Sequence, residues 1–314
     1  MISTIYELHS FVFSVLAPPQ IHAQLSLFVK ESYSSLPLLL FDIYDTNMGG
    51  CTKFDFVVDE CIQYNLKGYN LYYRPSKNEY YQVGTSIYGI FNVEKGYSRI
   101  QIDSKKYNPR NLFHVCILDI MSLISVKYNS IIFHAASMVS RNKAYLFMGD
   151  SGNGKSTVTY RLSQKTSIAK ASDDVAIFNL AYSGATIYPI NSGYGYSKDI
   201  AYGILQNSDK CVKLYETDNK CYIYEPEVAS ATYLLGGVFF LKRIVSECAP
   251  QNTDIFLLEE REFLRRIIKT QTNVGSSLLK AKFRLYKTLS ACCKGFDVTY
   301  VNDCDIRVFE EYLK

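Results

Sequence analysis

The sequence predicts an α/β protein with a phosphate-loop core and a β-rich N-terminal part. Three observations carry that reading. Gly149-Asp150-Ser151-Gly152-Asn153-Gly154-Lys155-Ser156-Thr157 satisfies the pattern G-x-x-x-x-G-K-[ST] at every required position. An apolar run, Ala144 to Met148, precedes it, and a segment without Gly or Pro, Thr157 to Leu162, follows it, as strand and helix should. Upstream of residue 110, short β-branched and aromatic runs alternate with turn residues.

In chain order, residues 1–110 form the expected β-rich domain or sheet extension. Ser10 to Ala17 reads as an N-terminal strand. Phe54 to Val58, Asn70 to Tyr73, Tyr80 to Val83, Ser86 to Val93 and Ser98 to Ile102 read as further strands, with turns at Asn78, Gly84 and Gly96. Residues 111–314 form the expected phosphate-loop domain. Asn108-Pro109 marks a helix start, and Phe113, Ile117, Ile120, Met121 and Ile124 repeat at helical spacing. Strands are expected at Ser130 to His134, Ala144 to Met148, Val175 to Phe178, Thr186 to Tyr188, Gly237 to Leu241 and Phe296 to Val301. Tyr182-Ser183-Gly184-Ala185 reads as a hairpin turn, and Asn191 to Asp199, polar and rich in Gly and Tyr, as a loop. Helices are expected over Leu257 to Ile268 and Ser276 to Leu289, with a short one at the end of the chain.

Composition narrows the partners and the compartment. The 34 basic and 30 acidic residues nearly balance, so charge implies neither a nucleic-acid nor a membrane partner. The nine cysteines are scattered, with no C-x-x-C pair and no zinc spacing, which reads as reduced thiols in a cytoplasmic protein. Residues 10–17 mimic the core of a signal peptide, but the segment before them carries Glu7 and no Lys or Arg. No apolar run is read as reaching membrane-spanning length.

The chemistry begins at the loop. Its backbone N–H groups make a nest for phosphate oxygens, and the following helix adds its positive end. Lys155 would reach the β/γ-phosphates, and the Ser156 hydroxyl would hold Mg²⁺. The loop alone implies a nucleoside triphosphate with Mg²⁺. Asp173-Asp174 follows Lys155 by eighteen residues, room enough for a helix and a returning strand. One carboxylate would serve the metal and the other would accept a proton from an attacking hydroxyl. The run before the doublet, Ile168-Ala169-Lys170-Ala171-Ser172, is small and partly charged, unlike the apolar runs of motor and transporter ATPases. No L-S-G-G-Q signature occurs, and Asn219-Lys220-Cys221-Tyr222 lacks the aspartate that reads guanine. His134 closes the strand expected beside the loop strand, with small residues after it. Arg261, Arg265 and Arg266 read as a solvated helix face, and Lys242-Arg243 as a lesser basic cluster.

His134, Gly149 to Ser156 and Asp173-Asp174, in that order and spacing, resemble the catalytic core of the HPr kinase/phosphorylase family. That resemblance implies a phosphoenolpyruvate-carboxykinase-like nucleotide-binding fold and transfer of phosphate from ATP to a protein serine. It makes Asp173 the base that activates the acceptor hydroxyl, His134 its tuning neighbour, and Asp174 a support for the metal. It also implies an oligomer. The L-E-I-R-G-type segment of the family is missing. In its region, Asn191 to Asp199, Asp199 is the acid available as a second metal ligand, and Thr157 stands where the family carries an acid. The chain thus resembles the diverged kinase-like relatives of that family. The expected activity is transfer to a Ser or Thr hydroxyl of a protein or peptide. A kinase of a small hydroxyl such as serine, a non-transferring ATP-binding regulator or assembly factor, and a carboxykinase-type reaction are the alternatives.

Overall fold

In a computed structural model the chain is described at residues 1–9, 11–33, 37–48, 61–66, 69–150, 152–181, 184–191, 193–225, 231–244, 253–270, 276–301 and 306–313. The expected strand Phe54 to Val58 and the turn residues Tyr182 and Ser183 lie outside them. The chain is mixed α/β and divides into two compact units, Met1–Ile124 with Asn273–Gly275, and Ser125–Thr272 with Ser276–Lys314.

The first unit contains β1 (Ile2–Leu8), β2 (Phe11–Ala17), α1 (Pro19–Leu25), β3 (Lys30–Glu31), β4 (Leu39–Asp45), β5 (Ile62–Leu66), β6 (Tyr69–Arg74), β7 (Glu79–Val83), β8 (Ile87–Asn92) and β9 (Tyr97–Ile102). These form a nine-stranded sheet in the order β3-β1-β2-β4-β9-β8-β7-β6-β5. Strict alternation builds it: Phe11, Phe13, Val15 and Ala17 of β2 are buried, and the residues between them are half-buried. Helices α2 (Pro109–Phe113) and α3 (Asp119–Ile124) follow, joined by a π-helical turn. Asn108 caps α2 by accepting from the Asn111 N–H at 2.9 Å.

The expected boundary at residue 110 falls within this unit. Side chains explain why α2 and α3 belong to the first sheet. Phe113 stacks on Phe28 at 5.1 Å, Gln82 donates to the Val115 carbonyl, and Tyr69 donates to Asp119 at 2.6 Å. The helical stretch Pro109–Tyr128, 20 residues, is long and apolar enough by composition to cross a membrane. In the structure 61% of its apolar window is buried in the protein, as in a core helix, so the sequence reading missed its length rather than its place.

The second unit contains β10 (Ser130–His134), β11 (Ala136–Ser140), β12 (Lys143–Met148), α4 (Lys155–Lys165), β13 (Ala169–Ser172), β14 (Val175–Ala181), β15 (Gly184–Ile190), β16 (Tyr194–Tyr196), α5 (Lys198–Asn207), β17 (Val212–Glu216), β18 (Cys221–Tyr224), β19 (Tyr233–Arg243), β20 (Asp254–Leu257), α6 (Glu260–Thr270), α7 (Ser276–Cys292) and β21 (Lys294–Tyr300). The large sheet runs β10-β14-β15-β19-β12-β11-β13, with β21 and β20 added beyond β19. β12, β19 and β21 are mutually parallel, with β12 buried from Ala144 to Met148 and β19 from Val238 to Leu241. At the centre Phe239 stacks on Phe147 (5.1 Å) and Phe296 (4.8 Å) and meets Phe309 edge-on (5.7 Å). β16, β18 and β17 form a separate three-stranded sheet. Within Asn191 to Asp199, expected as a loop, the chain therefore forms β16 and the first turn of α5. The loop reading missed a strand of only three residues, held by a partner it meets 25 positions later or more.

Candidate nucleotide and phosphoryl-transfer site

The glycine loop lies between β12 and α4, and backbone conformation explains its glycines. Gly149, Gly152 and Gly154 all have positive φ (148°, 91° and 73°). A Cβ on Gly149 would stand 2.6 Å from the Leu241 carbonyl oxygen, and one on Gly154 2.0 Å from the Tyr300 hydroxyl. That hydroxyl donates to the Asn153 carbonyl at 2.7 Å, so β21 braces the loop from below. Gly154 precedes Lys155 in the left-handed region, and the first α4 bond runs from Val158 N–H to the Gly154 carbonyl. Ser151 lies outside the described residues.

Lys155 begins α4 and is buried. Its Nζ turns back into the loop and donates to the Gly149 carbonyl at 2.7 Å and the Asp150 carbonyl at 3.4 Å. Burial holds its ammonium below the usual lysine range, Lys220 adds to that, and the Asp173 and Asp150 carboxylates oppose it. β12 and β13 both run antiparallel to β11, so the loop after β12 and the acidic doublet after β13 leave the sheet at the same end. Ser156 is half-buried, and Asp150 and Thr157 are exposed.

Two paired strands break at one level beside this loop. β10 pairs with β14 up to His134–Val175, and β11 pairs with β13 from Ser137–Ser172. Between them lie Ala135 on one chain segment and Asp173-Asp174 on the other. The Ala135 N–H donates to the Asp174 carbonyl at 2.9 Å, and Ser137 and Ser172 share a hydroxyl bond at 3.0 Å. Asp173 is only 3% exposed. Its Oδ2 accepts from the Gly195 N–H of β16 at 3.0 Å, and its buried Oδ1 has no hydrogen-bond partner among the described residues. Asp174 is half-buried and His134 exposed.

The structure therefore gathers Lys155 and Asp173, with His134 and Asp174 next to Asp173 along the break. Asp199 stands apart in this respect: it is exposed in the first turn of α5, and no hydrogen bond or ion pair ties it to the loop among the described residues. Arg266 binds Asp297 at 2.7 Å and Glu262 at 3.3 Å, so it is partnered within its own unit. Sequence reasoning missed Tyr300 and Gly195. The signal for Gly195 was a glycine between two tyrosines, which only the pairing of β16 with β18 makes legible.

The donor set suits a phosphate group: three positive-φ glycines shape the turn, and a buried lysine has its Nζ turned into it. Among the described residues no three His, Cys, Asp or Glu side chains converge on a metal position. A nucleotide-bound Mg²⁺ takes one or two protein ligands beside phosphate oxygens and waters, and Ser156 and Asp174 fit that number.

No known protein family and no curated protein matches the chain. Among solved structures, the Hpr(Ser) kinase/phosphatase from Coxiella burnetii is similar over 58% of this chain and 87% of that one, at 11% identity and a TM-score of 0.30. That is a distant fold relationship, and nothing about activity rests on it.

Proposed function

We propose that this chain is an ATP- and Mg²⁺-dependent phosphotransferase acting on a Ser or Thr hydroxyl of a protein or peptide. One observation carries the proposal: a buried carboxylate, Asp173, leaves the sheet at the same end as the phosphate loop, with one oxygen anchored and the other without a hydrogen bond among the described residues. The glycine loop and Lys155 bind and orient the β/γ-phosphates. Ser156 and Asp174 would hold Mg²⁺, which when bound supplies neutralising charge along the phosphate oxygens. The acceptor oxygen forms a bond to the γ-phosphorus, the bond from that phosphorus to the bridging oxygen breaks, and ADP leaves. The hydroxyl proton passes to Asp173 Oδ1. Because Oδ1 is buried, the acceptor meets it only after a local opening above Asp173.

The test uses the purified full chain with γ-labelled ATP, a library of Ser/Thr peptides and, in parallel, free L-serine. Label appears on one class of acceptor, and Asp173→Asn lowers the rate about 10²- to 10⁴-fold. Undiminished transfer by Asp173→Asn overturns the assignment of the base. The burial of both Asp173 oxygens also favours a second reading, a nucleotide-binding regulator. Binding that depends on Lys155, with no label on any acceptor, selects it.

A further inference from the structure

We infer that Lys170 and Glu225 are a positioning pair for Asp173, acting by holding β16 against β13. The inference rests on the proposed role of Asp173 and identifies what sets its geometry.

β16 is three residues long and pairs only with β18 in its sheet. Its central N–H, that of Gly195, is the donor that anchors Asp173 Oδ2. A side chain at 195 would run into the Tyr222 ring at 2.7 Å, so glycine allows β16 to sit this close to β18. The flanking residues Tyr194 and Tyr196 share one face, because alternate residues of a strand do. Their rings stack at 6.1 Å and 20°. The Lys170 ammonium sits against that face, 4.5 Å from the Tyr194 centroid and 4.9 Å from that of Tyr196.

Lys170 belongs to β13, the strand that runs directly into Asp173. It donates to both oxygens of Glu225, at 2.8 and 2.9 Å, and also to the Tyr196 hydroxyl. Tyr196 in turn donates to Glu225 Oε1. Burial and the Glu225 carboxylate push the Tyr196 hydroxyl upward, so it stays a donor. Glu225 completes the frame through its carbonyl, which accepts from Asn191 Nδ2 at 2.8 Å, while Asn191 Oδ1 receives the Gly193 N–H. The cradle helix joins through Tyr160, edge-on to Tyr196 at 5.2 Å. One ion pair therefore links the strand carrying Asp173, the strand anchoring it, and the helix of the phosphate loop.

Stability alone does not account for such a pair. The side chains of Lys170 and Glu225 are 10% and 17% exposed, and charges so buried lose much of their attraction to desolvation. Packed apolar residues would stabilise the site as well or better. What an ion pair with planar, hydrogen-bonded partners adds is registry.

The test compares Lys170→Met, Lys170→Arg and Glu225→Gln in the full chain. Hydrogen exchange of the Gly195 amide requires no activity. It is expected to rise about tenfold or more in Lys170→Met while the Val158 amide of α4 stays protected. Transfer from γ-labelled Mg-ATP to the Ser/Thr peptides is expected to lose about ten- to a hundredfold in kcat, with KM for ATP within about twofold. Lys170→Arg restores most of it. Unchanged exchange at Gly195, or kcat and KM lost together with general deprotection, overturns the inference. If Lys170→Met fails to fold, Lys170→Met/Glu225→Gln, which leaves no uncompensated charge, is read by the same criteria. An Asp173→Asn enzyme that still transfers phosphate sinks the proposed base instead, and Gly195 exchange still reports on the pair.

Discussion

Replacing Gly154 by alanine tests the brace beneath the phosphate loop. Gly154 has φ +73° and ψ 21°, where an L-residue costs about 1–2 kcal/mol. The new Cβ would lie 2.0 Å from the Tyr300 hydroxyl, so that ring must move. Moving it breaks the 2.7 Å bond to the Asn153 carbonyl, worth about 1 kcal/mol. Gly154→Ala is therefore expected to destabilise the second unit by roughly 2–3 kcal/mol. Tyr300→Phe alone should cost about 1 kcal/mol, the lost bond. In the double variant the clashing oxygen is gone and the next contact, Tyr300 Cζ, lies at 3.3 Å. The hydroxyl bond can then be lost only once, so the double variant should be more stable than the sum of the singles by about 1 kcal/mol. Calorimetric unfolding of the four proteins gives the coupling, and titration with Mg-ATP tests whether the loop still binds. Additive costs would refute the reasoning, because they would mean that Tyr300 and the Gly154 backbone do not share that space.

The remaining predictions concern the core and pH. Phe239→Ala should cost about 3–5 kcal/mol in unfolding free energy, since its ring lies among those of Phe147, Phe296 and Phe309, and a loss under 1 kcal/mol would show the stack to be loosely packed. Burial pushes the Lys282 ammonium down to about 8, whereas an unfolded lysine keeps its proton to about pH 10.4. Between those pH values the unfolded chain binds more protons, so stability should rise with pH by about 3 kcal/mol, and Lys282→Met should abolish the rise in urea titrations at pH 7.5 and 10.

The loop was legible because each requirement is local. Gly149, Gly154 and Lys155 answer to backbone angles and to the start of one helix, and strand, loop and helix are contiguous. What surrounds the loop was not legible, because its partners are distant in sequence. Read alone, Lys170 only marked its run as partly charged, and it is half-buried because Glu225 meets it 55 residues later. Tyr300, which reads as part of an apolar strand, reaches Asn153 across 147 residues. β16 carries too few residues for alternation to show. Of the helices, α2 to α3 repeats apolar residues as expected but packs on the first sheet, while α1 and α5 were not read as helices at all.

The break shared by the two paired strands explains why the acidic doublet can hold a buried carboxylate at all. In an unbroken ladder Asp173 would alternate with Ser172 and Asp174, and its backbone groups would be spent on the neighbouring strand. Here β13 stops at Ser172 and β14 starts at Val175, exactly where β10 gives way to β11, so two residues leave the ladder together. Asp174 keeps the two segments joined through its carbonyl, which frees Asp173 to be anchored by a different sheet through Gly195. An anchor from another sheet can shift relative to the loop, whereas one within the ladder cannot. The position of the Asp173 carboxylate therefore depends on how β16 is held, and under the proposed reaction the Lys170–Glu225 pair is, after Asp173 itself, the part outside the loop to which transfer should be most sensitive.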